Sequence, residues 1–218
     1  MAKNYLTIDE KINRARVAID NALSDEPIKA LLIPFGYGDA KLTEGKALYE
    51  KVIALNQKQA KEYGEKLAAT KEKDTLHDTA HQQYMDAVDL ARIVFRDNVK
   101  ASLALGLNGR RKETLSGWVE QATQFYSNLL ADPDLISAIS GFGYTQEKLQ
   151  AELAQVQAVP AAMASQAKED GESQAATKER DAAVDEMDQW MADFKVVARI
   201  ALKDHDQWIE KLGLAVIP

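Results

Sequence analysis

Slid along itself until Phe35 falls on Phe142, the chain aligns with itself without a gap. In that register Phe35-Gly36-Tyr37 matches Phe142-Gly143-Tyr144, Ala91-Arg92-Ile93 matches Ala198-Arg199-Ile200, and Leu105-Gly106-Leu107 matches Leu212-Gly213-Leu214. The polar segment Lys61–Asp74 returns as Lys168–Asp181 with 10 of 14 positions identical. A repeat of this size constrains the fold more than any single motif, because one supersecondary unit must serve twice. The expected organisation is a single intertwined all-α unit over residues 1–218, built from repeat 1 (7–107) and repeat 2 (114–214).

Each repeat reads as one medium helix, one short helix and one very long helical segment. Thr7-x-x-Glu10 has capping-box spacing and opens the first helix, which runs to about Leu23; its equivalent runs from Thr114 to Leu130. Asp132-Pro133 combines a cap with a first-turn proline and begins the short helix, and Ser24-Asp25-Glu26-Pro27 is its counterpart in the first repeat. "PFGYGD" and "GFGYTQ" supply the turn that ends it, and Thr145 is placed to cap the helix that follows. From Asp39 to Leu105 and from Gln146 to Leu212 helix formers dominate, with a kink expected at Pro160. Apolar residues recur at steps of three and four, as in Leu76, Ala80, Tyr84, Ala87, Ala91, Val94, and no useful period-two alternation occurs. The class is therefore all-α.

The long segments admit two arrangements. Each is a hairpin folded near Lys71–Thr75, or one helix of about 65 residues and about 100 Å. A turn normally needs Gly, Asn or Pro, and "ATKEKDTLH" has none. The glycines lie instead in stripes of small residues, Ala60-Gly64-Ala68 and Ala167-Gly171-Ala175. Such stripes let two helix backbones approach closely, which offsets the cost of about 1 kcal/mol for glycine inside a helix. The expected architecture is an elongated helical bundle of two pseudo-twofold-related halves, one per repeat, crossing antiparallel at these stripes. Each core would join the start of one long helix, the end of the other and a short first helix.

With 46% hydrophobic and 28% charged residues the chain has the make-up of a globular protein with a sizeable core. The net charge is −7 and basic residues are interleaved with acidic ones, which argues against nucleic acid as a partner. There is no cysteine, so disulfides, thiol catalysis and cysteine-ligated metals are excluded. The first twenty residues show no apolar leader run, and no stretch reaches the roughly 20 apolar residues that span a bilayer. A cytoplasmic protein without a membrane partner is expected.

The candidate chemistry is sparse. His77 and His81 share one helix face, with Asp74 one turn before, a spacing that suits zinc or another divalent ion. The zincin glutamate is missing, and the second repeat carries Val184 and Asp188 at the histidine positions. Glu72, Asp74 and Asp78 recur as Glu179, Asp181 and Asp185, but Glu-x-x-His is absent, so ordinary ion pairs are the simpler reading. Arg92 and Arg199 are expected to pair with Asp86, Asp193 or an aspartate of the other half, or to lie along the core rim. His205 reads as a core or rim histidine, and Trp118, Trp190 and Trp208 as packing residues that fill the second lobe. No phosphate-cradling loop, nucleophile elbow or Ser/His/Asp set occurs, and no cofactor is implied. The leading expectation is a non-enzymatic structural or interaction protein that self-associates or docks a protein partner. The alternative is a small-ligand or metal-binding helical protein using His77, His81 and Asp74.

Overall fold

In the computed structural model, residues 6–214 are described. The five residues before them, part of the segment without an apolar leader run, and the last four lie outside. Among the described residues the α-helices are α1 Ile8–Ser24, α2 Glu26–Leu32, α3 Asp39–Val94, α4 Val99–Ala104, α5 Leu115–Leu130, α6 Pro133–Ser140, α7 Gln146–Ala201 and α8 Asp206–Lys211. A single 3-10 turn, Ile33–Phe35, follows α2, and no strand occurs among the described residues. In the register that sets Phe35 on Phe142, both ends of α3 fall on the ends of α7, and both ends of α4 on the ends of α8. No helix is long and apolar enough to cross a membrane among the described residues.

The helix starts are set locally. Thr7 and Glu10 complete the capping box: the Glu10 N–H donates to the Thr7 hydroxyl, and the Thr7 N–H to the Glu10 carboxylate at 2.7 Å. These bonds hold the Glu10 carboxyl below the usual carboxylate range. Asp25 accepts from the Ile28 N–H, Asp132 from the Asp134 N–H and Thr145 from the Lys148 N–H. Gly36 and Gly143 both adopt φ of 85°, where a Cβ would be strained, so the aromatic–glycine turns need glycine there.

α3 and α7 are unbroken helices of 56 residues each, which removes the hairpin at Lys71–Thr75. The threonines of this polar region satisfy themselves within the helix: Thr70 donates to the Lys66 carbonyl at 2.9 Å and Thr177 to the Ser173 carbonyl at 2.9 Å. α7 continues through Pro160. α3 stops at Val94, short of the expected Leu105. Asn98 leaves helical geometry, with φ of −105°, and its side chain accepts from the Ala101 N–H to start α4.

The chain divides into two compact units, residues 1–63 with 172–218, and residues 64–171. Each draws on both halves of the sequence. The first unit packs Ile19 of α1 and Ile28 of α2 against Leu42 and Val52 of α3, and against Met187, Trp190 and Phe194 of α7. The second packs Phe125 and Tyr126 of α5 and Ile139 of α6 against Leu149 and Val156 of α7, and against Tyr84, Val88 and Ala91 of α3. Trp190 and the partly buried Trp208 thus serve the first core and Trp118 the second, so the tryptophans do not fill one lobe.

The close approach at the small-residue stripes does not occur. Ala60, Gly64, Ala68, Ala167, Gly171 and Ala175 are all exposed. A Cβ built on Gly64 or Gly171 meets nothing within 4 Å. Ion pairs between long side chains link α3 to α7 instead. Within the first unit Lys51 reaches Glu186 at 2.9 Å and Lys58 reaches Glu179 at 2.8 Å; within the second Lys66 reaches Asp170 at 2.5 Å. With nothing within 4 Å of either added Cβ, Gly64 and Gly171 admit no neighbouring backbone. Gly64→Ala is therefore expected to stabilise the protein by up to about 1 kcal/mol, through helix propensity alone. Urea denaturation measures this, and a loss of stability would restore the close-crossing idea.

Candidate functional site

One candidate cleft lies wholly within residues 64–171. It is a cleft of about 580 Å³ between the middle of α3, the start of α5 and the connection at residues 110–113. α3 contributes Lys73, Asp74, His77 and His81, and α5 contributes Leu115 and Trp118. Lys73, His77 and His81 are spaced four residues apart and so share a helix face. Thr114 caps α5 through the Gly117 N–H at 3.3 Å, which sets where the Trp118 indole projects. Gly117 also admits the connection: a Cβ there would lie 2.9 Å from Lys112 Cδ.

Asp74, His77 and His81 line one cleft. Their donor atoms are not gathered within 4.8 Å of one another. Instead the two imidazoles stack, with centroids 5.7 Å apart and planes 20° apart. His77 meets the Trp118 ring nearly edge-on, centroids 4.8 Å apart. His77 Nδ1 lies 3.2 Å from the Asp78 carboxylate, and Asp74 pairs with Lys73 at 3.0 Å. The aromatic contacts turn both rings toward the indole, not toward a common ion.

The opposite wall is basic. Arg111 is the anchored member: Nη1 donates to the Tyr84 hydroxyl at 2.7 Å and Nη2 to the Gly106 carbonyl at 2.5 Å. Burial pushes the Tyr84 phenol up, against the opposing pull of the guanidinium. Arg110 pairs with Glu113, and Lys112 with Glu120. Four basic side chains and two acidic ones line the cleft, in a chain whose net charge is −7. Two buried donors there have no acceptor: Trp118 Nε1 and Arg111 Nε. Both atoms are closed to solvent, and the Trp190 Nε1 of the first unit is orphaned in the same way, so these donors do not by themselves mark the cleft.

The matching positions of the other unit are closed differently. In the self-alignment Lys11 stands where α5 has Trp118, and Asp188 where α3 has His81. In the first unit these two form an ion pair at 2.5 Å.

The remaining sequence candidates resolve into structural contacts. Arg92 donates to Asp89 at 2.8 Å and to the Leu107 carbonyl at 3.2 Å, not to Asp86, which lies six residues before it on α3 and off its face and accepts from Gln82 at 2.8 Å. The Gln189–Asp193 pair repeats that bond at 3.1 Å. Glu179 and Asp181 pair with Lys58 and Arg180. His205 is exposed at the start of α8 and stacks on Trp208 at 4.1 Å. Sequence reasoning missed Lys73, Trp118 and the run Arg110-Arg111-Lys112 as cleft residues. The available signal was three consecutive basic residues just before a helix cap. No protein family, curated protein or solved structure matches the chain.

Proposed function

We propose that the chain is a non-catalytic helical binding protein that arose by internal duplication and receives a small ligand at its His77/His81 face. The carrying observation is the cleft of about 580 Å³ itself, with His77, His81, Leu115 and Trp118 on one side and Arg110, Arg111 and Lys112 on the other. The common register of the helix ends, α3 on α7 and α4 on α8, supports the duplication. On this reading the first unit keeps the ancestral position sealed by Lys11 and Asp188, while the second has opened it into a cleft with Trp118 and His81. Between the two sequence-based expectations, the cleft favours the small-ligand reading over a purely structural role, and a non-metal ligand over a divalent ion.

The chain has three histidines, which makes the test direct. His77 and His81 imidazole resonances report the cleft, and His205, in the other unit, is the internal control. A mixed set of neutral, cationic and anionic aromatic compounds at millimolar concentration is expected to include some that shift the first two and leave His205 unmoved. A set in which none does so would remove the ligand reading. A substrate turnover abolished by replacing one side chain would remove the non-catalytic one.

A further inference from the structure

We propose that the Arg110–Arg111 peptide bond is a site of limited proteolysis by an endoprotease selective for basic side chains, and that the cut chain remains one protein made of two polypeptides. Residues 105–114 form the longest helix-free stretch among the described residues. Asn108, Gly109 and Arg110 are exposed within it. Exposed stretches with small and polar residues are where proteases find the extended segment they bind. Arg96 and Lys203 also lie outside helices, but in turns of four residues, 95–98 and 202–205, which cannot extend without unwinding the helices on either side. Within 105–114 the geometry selects one bond. The Arg110 side chain is 85% exposed, and its surface ion pair with the similarly exposed Glu113 is displaced at little cost. Arg111 is held by Tyr84 and Gly106, and the Lys112 N–H donates to Gln121 at 3.0 Å, so neither reaches a specificity pocket without breaking those bonds. Hydrolysis adds one water across the peptide bond, leaving a carboxylate on Arg110 and an ammonium on Arg111.

The cut falls between the repeats, yet neither core belongs to one fragment. In the first unit Ile28 and Leu42, from residues 1–110, share a core with Trp190 and Phe194, from residues 111–218. The Asn21 side chain there donates to the Lys211 carbonyl at 2.6 Å. In the second unit Tyr84 and Ala91 share a core with Phe125 and Leu149, and the Asn128 side chain donates to the Ala104 carbonyl at 2.6 Å. Arg111, the start of the new chain, keeps its bond to Tyr84 in the other fragment. Both cores must open before the fragments part, and an interface made of divided cores is of the obligate kind.

Brief treatment of the full chain with a low ratio of trypsin, the products identified by mass spectrometry, tests this. The first cut within residues 6–214 is expected after Arg110, before any after Arg96 or Lys203. Arg110→Gln is expected to slow that first cut by at least about tenfold, the equivalent of one hydrogen bond to a charged group broken at Arg111. Native mass spectrometry of the cut protein should find both fragments in one complex at micromolar concentration, and far-ultraviolet circular dichroism should keep the helical signal of the uncut chain. A first cut elsewhere within residues 6–214, or an Arg110→Gln chain cut as fast as the wild type, overturns the site. Fragments that separate, or a helical signal that is lost on cutting, overturn the two-polypeptide product.

Discussion

Gly45→Ala is expected to destabilise the protein by on the order of 1–2 kcal/mol, although alanine is the better helix former by about 1 kcal/mol. A Cβ on Gly45 would lie 2.5 Å from two carbons of the Trp190 ring and 2.9 Å from a third. The ring has nowhere to go. It stacks on Phe194, centroids 5.2 Å apart, and meets the edge of Tyr37 at 5.6 Å. All three rings belong to the core of the first unit. Overpacking a close-packed interior forces side chains off their rotamers, and that cost exceeds the gain in propensity. A double-mutant cycle read by urea denaturation isolates the contact. In a Trp190→Gln background the alanine should become neutral or stabilising, since the obstacle is gone. Gly45→Ala that stabilises the wild-type chain would mean that the indole does not press on α3. The self-alignment sets Glu152 against Gly45 and Gln83 against Trp190, so a large ring over glycine is one solution and two polar residues the other.

Tyr126→Phe is expected to cost about 1–3 kcal/mol at pH 7. Tyr126 is fully buried and donates to the Glu152 carboxylate at 3.0 Å, and Glu152 is itself only 4% exposed. Removing the hydroxyl leaves a buried carboxylate with only Lys148, 3.8 Å away, as a counter-charge. Desolvation is the largest influence on Glu152 and pushes its carboxyl up, with the Tyr126 bond and Lys148 opposing it. The sign follows. An acid whose folded value is raised holds its proton more tightly in the native state, so it contributes stability that is full below about pH 4 and is lost as pH rises through the raised value. Tyr126→Phe should steepen that loss, because the bond that favours the anion is gone. Glu152→Gln should abolish it while leaving an amide oxygen to accept from Tyr126. Urea denaturation at pH 4, 5.5 and 7 checks both variants, and a Glu152→Gln profile as steep as the wild type would show that this carboxyl is not responsible.

Two kinds of information were unequally legible in the residues. The all-helical class and the helix starts could be read because they depend on neighbours within four positions. Thr7 with Glu10 made its capping box, and Asp25, Asp132 and Thr145 capped as their spacing implied. The composition of the cores was also legible, since the apolar steps from Leu76 to Val94 lie on one face. Asp74, His77 and His81 did prove to share a cleft. Its basic wall was not legible, because Arg111 is far from His77 along the chain and only the Tyr84 and Gly106 bonds bring it there. Gly45 and Gly64 illustrate the same limit. Both are glycines inside α3, and nothing local distinguishes the one pressed by Trp190 from the one facing solvent.

What the sequence by itself determined is the set of helices, their caps and the return of the same residue pattern in the second half, because hydrogen bonds within a turn and apolar periodicity are local properties. What only the tertiary structure decided is which face of each long helix is covered. A 56-residue helix presents every direction around its axis, and packing partners distant in sequence select among them. That selection left the small-residue stripes in solvent, and it set two histidines, a tryptophan and an arginine around one cleft.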